Sequence, residues 1–312
     1  MRKQPTIIRV KSNDTLGAVL AAHLGGMSQT SIKQLLARRV VNVDGVVETR
    51  ADLAVPAGAE VVIEQGRGNN ALTHPKLRMV YEDDYLIVVE KQCGLLTVAA
   101  NPGGRETTAL SILKDYVRRE DRRNGVFVVH RLDRETSGLL VFAKTQELQN
   151  YMREWWHDLV TKRTYVAVVE GRVEKDSDTI TTWLTVDNKT TMVYSSPVDD
   201  GGKKAVTHYK VIKRTENVQA CETGKADCAG QGYSLLELNL ETGRTNQIRV
   251  HMASIGHPVV SDRKYGFADS NSACPLDRLA LHARILEFTH PVTEQTVHFE
   301  TPVPRSFLAL FH

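Results

Sequence analysis

Val126-Phe127-Val128-Val129-His130-Arg131-Leu132-Asp133-Arg134-Glu135-Thr136-Ser137-Gly138-Leu139-Leu140-Val141-Phe142-Ala143 is the stretch on which the fold turns. Its two apolar runs, Val126 to Val129 and Leu139 to Ala143, are short and rich in branched and aromatic residues, so both read as buried strands. Between them lies a polar loop with one carboxylate, Asp133, flanked by the guanidinium groups of Arg131 and Arg134. Thr136-Ser137-Gly138 supplies turn chemistry before the second strand. A carboxylate on a loop pinned at both ends by strands is placed for chemistry. The plainer alternative is an aspartate that caps the backbone of its own turn.

Working outward, the bulk numbers set limits. The chain has 312 residues, enough for one large domain and one small one. Hydrophobic residues make up 41%, which supports a sizeable core. A formal net charge of +3 is only mildly basic, so nucleic-acid binding would need local clusters rather than a global field. The four cysteines, Cys93, Cys221, Cys228 and Cys274, form no C-x-x-C pair and signal neither zinc nor a disulfide framework. The start of the chain is polar rather than an apolar signal core, and no apolar run is long enough to span a bilayer. A cytoplasmic protein without membrane contact is expected.

The pattern predicts a small unit over residues 10–66, a glycine-rich linker at 67–76 and a large domain over 77–312. In the small unit, Leu16, Val19, Leu20 and Leu24 fall on one helical face, with Asp14 as the expected N-cap. Ser28 to Arg39 predicts a second helix, with Ile32, Leu35 and Leu36 apolar. Asp44-Gly45 reads as the turn of a hairpin over 40–47. In the large domain the pattern predicts strands at 78–82 and 85–91, then helices at Thr108–Arg123 and Gln146–Leu159. Further strands are predicted at Tyr165–Val169, Val206–Ile212, Ser234–Leu240 and Ala283–Phe288. Trp155 and Trp156, near the end of the second helix, read as packing residues. Residues 215–232 read as a long exposed loop. Strands outnumber helices and their connections are short, so the fold class is α+β with a mostly antiparallel sheet.

His130-Arg131-Leu132-Asp133 followed by Thr136-Ser137-Gly138 resembles the signature of the RluA-type pseudouridine synthases. Lys162 to Gly171 resembles that family's tyrosine strand, and Thr242 to His251 its arginine motif. Gly256-His257-Pro258 with Asp262 to Gly266 resembles the segment after it, and Leu279 to His282 the last pocket segment. The blocks keep the family's order. Residues 10–66, with the Arg39-to-Gly45 hairpin, are similar to the S4 RNA-binding domain.

The resemblance implies isomerisation of uridine in structured RNA. The bond from N1 to the ribose breaks, the base rotates, and C5 bonds to the same sugar carbon. No atoms are gained, so neither a metal nor a redox or group-carrying cofactor is expected. The resemblance makes Asp133 the reactive carboxylate, and an ordinary aspartate is ionised at neutral pH. Attack at ribose C1′, removal of a ribose proton and attack at uracil C6 all stay open. Arg249 is the implied cationic partner, on a helix over 245–255 whose apolar stripe is Ile248, Met252 and Ile255. Tyr165 is the implied ring that packs on the target base, which must first be swung out of its stack. Arg131 is placed to fill the gap or hold a phosphate. His130, Arg244 and Gln247 are assigned to substrate and RNA contacts, as are Lys33, Arg38 and Arg39 of the small unit. Asn246 stands where the family often has histidine, and an amide cannot titrate. The expected partner is ribosomal RNA of the large subunit, with transfer RNA as the alternative, and the expected state is a monomer. The rival readings are a non-catalytic RNA-binding or ribosome-assembly protein on the same fold, and a glycosidase, which would need a second catalytic carboxylate.

Overall fold

The structure is a computed structural model that describes residues 6–24, 28–37, 41–63, 72–99, 101, 104, 106–215, 232–266 and 276–311. The chain divides into two compact units, Met1–Ala71 and Leu72–His312. The division falls inside the segment read as a linker, part of which lies outside the described residues, as do Arg38, Arg39 and nearly all of the 215–232 loop.

The small unit contains β1 (Thr6–Arg9), β2 (Asp14–Thr15), α1 (Leu16–His23), α2 (Gln29–Ala37), β3 (Val41–Val43), β4 (Val46–Val47), β5 (Ala54–Val55) and β6 (Glu60–Ile63). One sheet runs β1-β6-β3-β4, and β2 pairs β5. Leu16, Leu20, Leu36, Val41 and Val61 meet in its core. Asp44 and Gly45 both have positive φ, 49° and 84°, as a tight hairpin with native twist requires. The cap of α1 differs from expectation. Thr15, not Asp14, accepts the Ala18 N–H at 3.4 Å, because Asp14 and Thr15 are paired as β2 and the helix starts one residue later. Lys33 is exposed on α2.

The large unit is built on one 11-stranded sheet. Its elements are β7 (Leu77–Glu82), β8 (Leu86–Lys91), α3 (Ala109–Arg118), β9 (Phe127–Val128), β10 (Ser137–Ala143), α4 (Gln146–Glu154), α5 (Trp156–Leu159) and β11 (Val160–Glu170). There follow β12 (Ser177–Val186), β13 (Val193–Ser196), β14 (Lys203–Arg214), β15 (Tyr233–Leu240), α6 (Gln247–Ser254), β16 (Leu281–Thr289), β17 (Thr296–Glu300) and α7 (Arg305–Leu308). The strand order is β13-β12-β14-β15-β11-β16-β10-β8-β7, with β17 on β16 and β9 on β10.

Every pairing is antiparallel except β10 with β16, which run parallel through Ser137–His282 and Gly138–Ala283. Two antiparallel halves therefore join at one short parallel seam, and Asp133 lies on the loop that enters it. Gly138 sits there at φ +116°, where a Cβ would collide with the Ala283 backbone, so the seam admits only glycine. β10 is buried on both faces. Leu140 and Phe142 pack with Leu113 and Val117 of α3. Leu139 and Val141 pack with Met152 of α4 and Phe288 of β16.

The predicted helix over Gln146–Leu159 is two helices, broken at Trp155. Trp155 is exposed, whereas Trp156 is half-buried. The predicted helix over Thr108–Arg123 ends at Arg118, and Thr108 caps it through a capping box with Ser111.

Candidate active site

The Asp133 loop is held by its backbone, which leaves the carboxylate available. The buried Leu132 is gripped by Thr97, whose hydroxyl donates to the Leu132 carbonyl at 2.7 Å and accepts its N–H at 3.2 Å. Beneath it lies Lys91, a fully buried ammonium that donates to the carbonyls of Leu95 (2.8 Å), Arg134 (3.1 Å) and Gln92 (3.2 Å). Burial pushes Lys91 down to about 8, while Cys93, Asp133 and Glu135 push it back up. The Thr136 N–H closes the turn on the backbone oxygen of Asp133 at 3.2 Å. The turn is thus satisfied without the side chain. The plainer reading of Asp133 as a cap for its own turn does not describe this geometry.

The nearest cation is Arg249, whose Nη1 lies 3.7 Å from Asp133 Oδ2. Arg249 projects from α6 and is itself buried. Its closest partner is Asp262, bound side-on through Nε–Oδ2 at 2.7 Å and Nη2–Oδ1 at 2.6 Å. Burial works against the charged guanidinium, but the Asp262 hydrogen bonds and charge outweigh it and raise its pKa. Nη1 also donates to Asn246 Oδ1 at 3.3 Å, and the guanidinium lies 5.2 Å from the centre of the Tyr265 ring. The Tyr265 hydroxyl in turn accepts from Asn246 Nδ2 and from the Val193 N–H, both at 3.0 Å. Asn246 occupies the left-handed region at φ 54°, a conformation asparagine tolerates. It orients Arg249 and Tyr265 by hydrogen bonds that need no titration. Arg249 is therefore fixed by Asp262, Asn246 and Tyr265, with one nitrogen turned toward Asp133.

Asp133, Tyr165, Ile248, Arg249 and Leu281 line a small pocket of about 70 Å³. Of the leucines in the 279–282 segment, Leu281 faces this pocket and Leu279 is buried in the core. Asp133 and Tyr165 also line a cavity of about 780 Å³, together with Arg131, Trp156, Arg163 and Arg244. That volume lies within the roughly 300–1,000 Å³ range of ligand sites. Arg131 and Arg244 are exposed there, and Arg244 Nε donates to the Lys204 carbonyl at 3.1 Å. Burial raises the Tyr165 phenol above its ordinary value, with Arg163 pulling down and Asp133 pushing up.

Two assigned contacts are corrected. Gln247 is buried and has no free valence for RNA. Its amide donates to the Val206 carbonyl and Thr207 Oγ1, and its oxygen accepts from Thr242 Oγ1 and the Arg244 N–H. It ties the start of α6 to β14. His130 lines the cavity, but as a neutral ring. Its Nε2 accepts the Val141 N–H at 3.2 Å, and it packs on Trp156 with centroids 4.7 Å apart. Burial, with a contribution from Arg163, pushes His130 down to about 3, so it brings no charge to a phosphate. The helical stripe is also shorter than expected, since Ile248 and Met252 are buried but Ile255 is an exposed C-cap.

The His130 environment sets a pH dependence. In the unfolded chain an ordinary histidine takes up a proton near pH 6.5, whereas folded His130 does so only near 3. Between these values unfolding consumes a proton, so stability falls as pH falls through that window. His130→Gln, which keeps an acceptor for Val141, should reduce that slope by about 1.4 kcal/mol per pH unit between pH 6 and 4. Urea midpoints measured across that range check it; an unchanged slope would show that His130 is charged in the fold.

Asp262 and Tyr265 lie inside a motif block recognised in the sequence, but their service to Arg249 becomes visible only in the structure. Lys91 and Thr97 lie outside the motif blocks, and Arg163 lies inside the Lys162-to-Gly171 block with no role assigned to it.

Residues 85–254 match the family described as RNA pseudouridylate synthase, and the chain belongs to that family, as a pseudouridine synthase of the RluA type. It is similar to the ribosomal large subunit pseudouridine synthase D of Nitrosomonas europaea, at 33% identity over 95% of this chain and 83% of the relative. The protein of the same name from Pseudomonas aeruginosa is 33% identical over 86% of this chain and 82% of its own length. The solved structure of human RNA pseudouridylate synthase domain containing 1 shares the fold, with a TM-score of 0.55 and 24% identity over 72% of this chain and 83% of that one.

Proposed function

We propose that this synthase converts uridines of large-subunit ribosomal RNA, with Asp133 as the reactive carboxylate, Arg249 as its cationic partner and Tyr165 as the ring on which the flipped uracil stacks. The observation that carries the reading is the convergence of Asp133, Tyr165 and Arg249 on one small pocket, with Arg249 3.7 Å from Asp133. The RNA assignment is supported by the bacterial relatives, which are ribosomal large subunit pseudouridine synthases. The exposed Arg131 and Arg244 supply cations at the cavity, and the small unit, with Lys33 exposed, serves as an S4-like RNA-binding domain. The protein works in the cytoplasm as a monomer.

Asp133 and Arg249 face each other without a direct hydrogen bond, so a ribose can approach the carboxylate while the guanidinium stabilises its charge. Tyr165, with its pKa raised, keeps its proton at neutral pH and offers an uncharged ring face. Base–aromatic stacking is worth about 1–3 kcal/mol. Tyr165→Phe should therefore keep measurable turnover, while Tyr165→Ala should lose about 5- to 150-fold. Equal and complete loss in both variants, with an RNA–enzyme intermediate trapped by Phe, would assign the hydroxyl to proton transfer instead.

The substrate is tested by mapping pseudouridines in ribosomal and transfer RNA from cells carrying wild-type or Asp133→Asn alleles. The mutant should lack specific pseudouridines of the large-subunit RNA. Loss confined to transfer RNA would move the substrate there.

A further inference from the structure

Arg163 is a cation of the cavity wall whose position the chemistry above leaves unexplained; Arg153, also on that wall, is exposed. It lies on β11, two residues before Tyr165, so both side chains point to the same face of the strand. It is half-buried. Among the described residues its guanidinium makes no hydrogen bond and no ion pair. The arginines that serve the fold behave differently. Arg249 is bound side-on by Asp262, and Arg278 donates to Ser137 Oγ and to the Leu279 and Leu281 carbonyls. A half-buried guanidinium carries five donors, and leaving them without acceptors is costly. On the wall of a cavity of about 780 Å³, such a group is free to receive an anionic partner from outside the chain.

The neighbourhood supports this. Gly243, across the cavity wall, leaves room for the guanidinium; a Cβ on Gly243 would come within 3.0 Å of Arg163 Nη1. Arg163 lines the same cavity as His130 and Tyr165, and its charge acts to lower the pKa of both. A uridine with its base on Tyr165 and its ribose at Asp133 carries its own phosphates into this part of the cavity. We propose that Arg163, seated in the space that Gly243 keeps open, binds the backbone phosphate adjoining the flipped uridine. The proposal rests on the reading of Tyr165 and Asp133 given above. It makes Arg163 a substrate-binding residue that fixes the ribose over Asp133.

The test uses the full-length protein and a synthetic RNA stem-loop containing a uridine that the mapping assigns. Wild-type conversion of this RNA is measured alongside, so failure of the substrate reading (no conversion) is distinct from failure of the phosphate contact. Binding is followed over a range of salt concentrations. Arg163→Ala should weaken Kd about 10- to 100-fold at low salt. It should also reduce the slope of log K against log salt by about 0.7–0.9, the loss of one phosphate contact. Arg163→Lys should recover the slope. A stem-loop with one neutral methylphosphonate linkage beside the uridine should weaken wild-type binding as Arg163→Ala does, and should cost the variant nothing more. The methylphosphonate measurement uses the wild-type protein, so it keeps the test open if Arg163→Ala is unstable. An unchanged salt slope in Arg163→Ala, or fully additive losses at each flanking linkage, would overturn the proposal.

Discussion

Asp133→Asn should abolish conversion of uridine to pseudouridine while leaving the fold intact. The two side chains are nearly the same size, so cavity shape is kept, but an amide has no anionic oxygen to offer the ribose or the base. Removing an enzyme's nucleophile typically costs on the order of 10⁴-fold or more. Stability should hardly change, because the loop is fixed by Thr97, Lys91 and Gly94 through backbone atoms and not by the Asp133 side chain. Arg249 keeps Asp262 and Asn246 as acceptors. RNA affinity should stay within a few-fold of wild type, since the phosphate contacts proposed above lie on other residues. Tritium release from C5-labelled RNA, urea denaturation and RNA binding measured on one preparation separate these effects. Retention of more than about 1% of wild-type turnover would remove Asp133 from the role of reactive group, because the deletion of a nucleophile leaves far less.

Much of this arrangement is legible in the sequence, and the limits have physical causes. The strand after Asp133 reads correctly because Leu139 to Ala143 is an unbroken apolar run buried on both faces, but the structure shortens the strand before it to Phe127–Val128 and puts Ser137 and Gly138, read as turn, at the start of β10. The Asp44-Gly45 hairpin was equally plain, since few dipeptides suit two successive positive φ angles. β12 was missed because its pattern is written in threonine, with Ile180, Thr182 and Leu184 turned inward and polar residues outward. A buried threonine looks like an exposed one until its partner, here His251 at 3.0 Å, is in place. The break at Trp155 has no proline or glycine to announce it.

The site followed the same rule. Asp133, Tyr165 and Arg249 stand in motifs, and the structure brings them to one pocket. Gln247 stands in a motif too, yet all its hydrogen-bonding capacity goes to β14 and to the turn before α6. Motif membership does not distinguish a side chain that meets substrate from one that holds the frame. Lys91 shows the opposite case. It ends an apolar strand and stands in no motif, yet its acceptors include a carbonyl 43 residues away in sequence.

The clamp on Arg249 gives the second large effect. The Asp262 side chain is wholly buried and holds Arg249 through two charge-assisted bonds. It also accepts the backbone N–H groups of Lys264 and Tyr265 at 2.9 and 3.1 Å. Asp262→Ala leaves a buried cation with Asn246 and the more distant Asp133 as its remaining acceptors. Breaking a buried pair by removing one partner costs about 3–5 kcal/mol, so the variant should unfold at clearly lower urea. Activity should fall as well, because the freed guanidinium can collapse onto Asp133 and occupy the place of the ribose. The double variant Asp262→Ala with Arg249→Met removes the stranded charge and should regain part of the lost stability, since an apolar replacement of a whole buried pair is often neutral. It should regain no activity, because the cation facing Asp133 is gone. Urea denaturation of the wild type, both single variants and the double variant gives the coupling energy directly. Strictly additive stability losses would mean that Asp262 serves its own turn rather than Arg249, and an active double variant would mean that Asp133 works without a cation at this position.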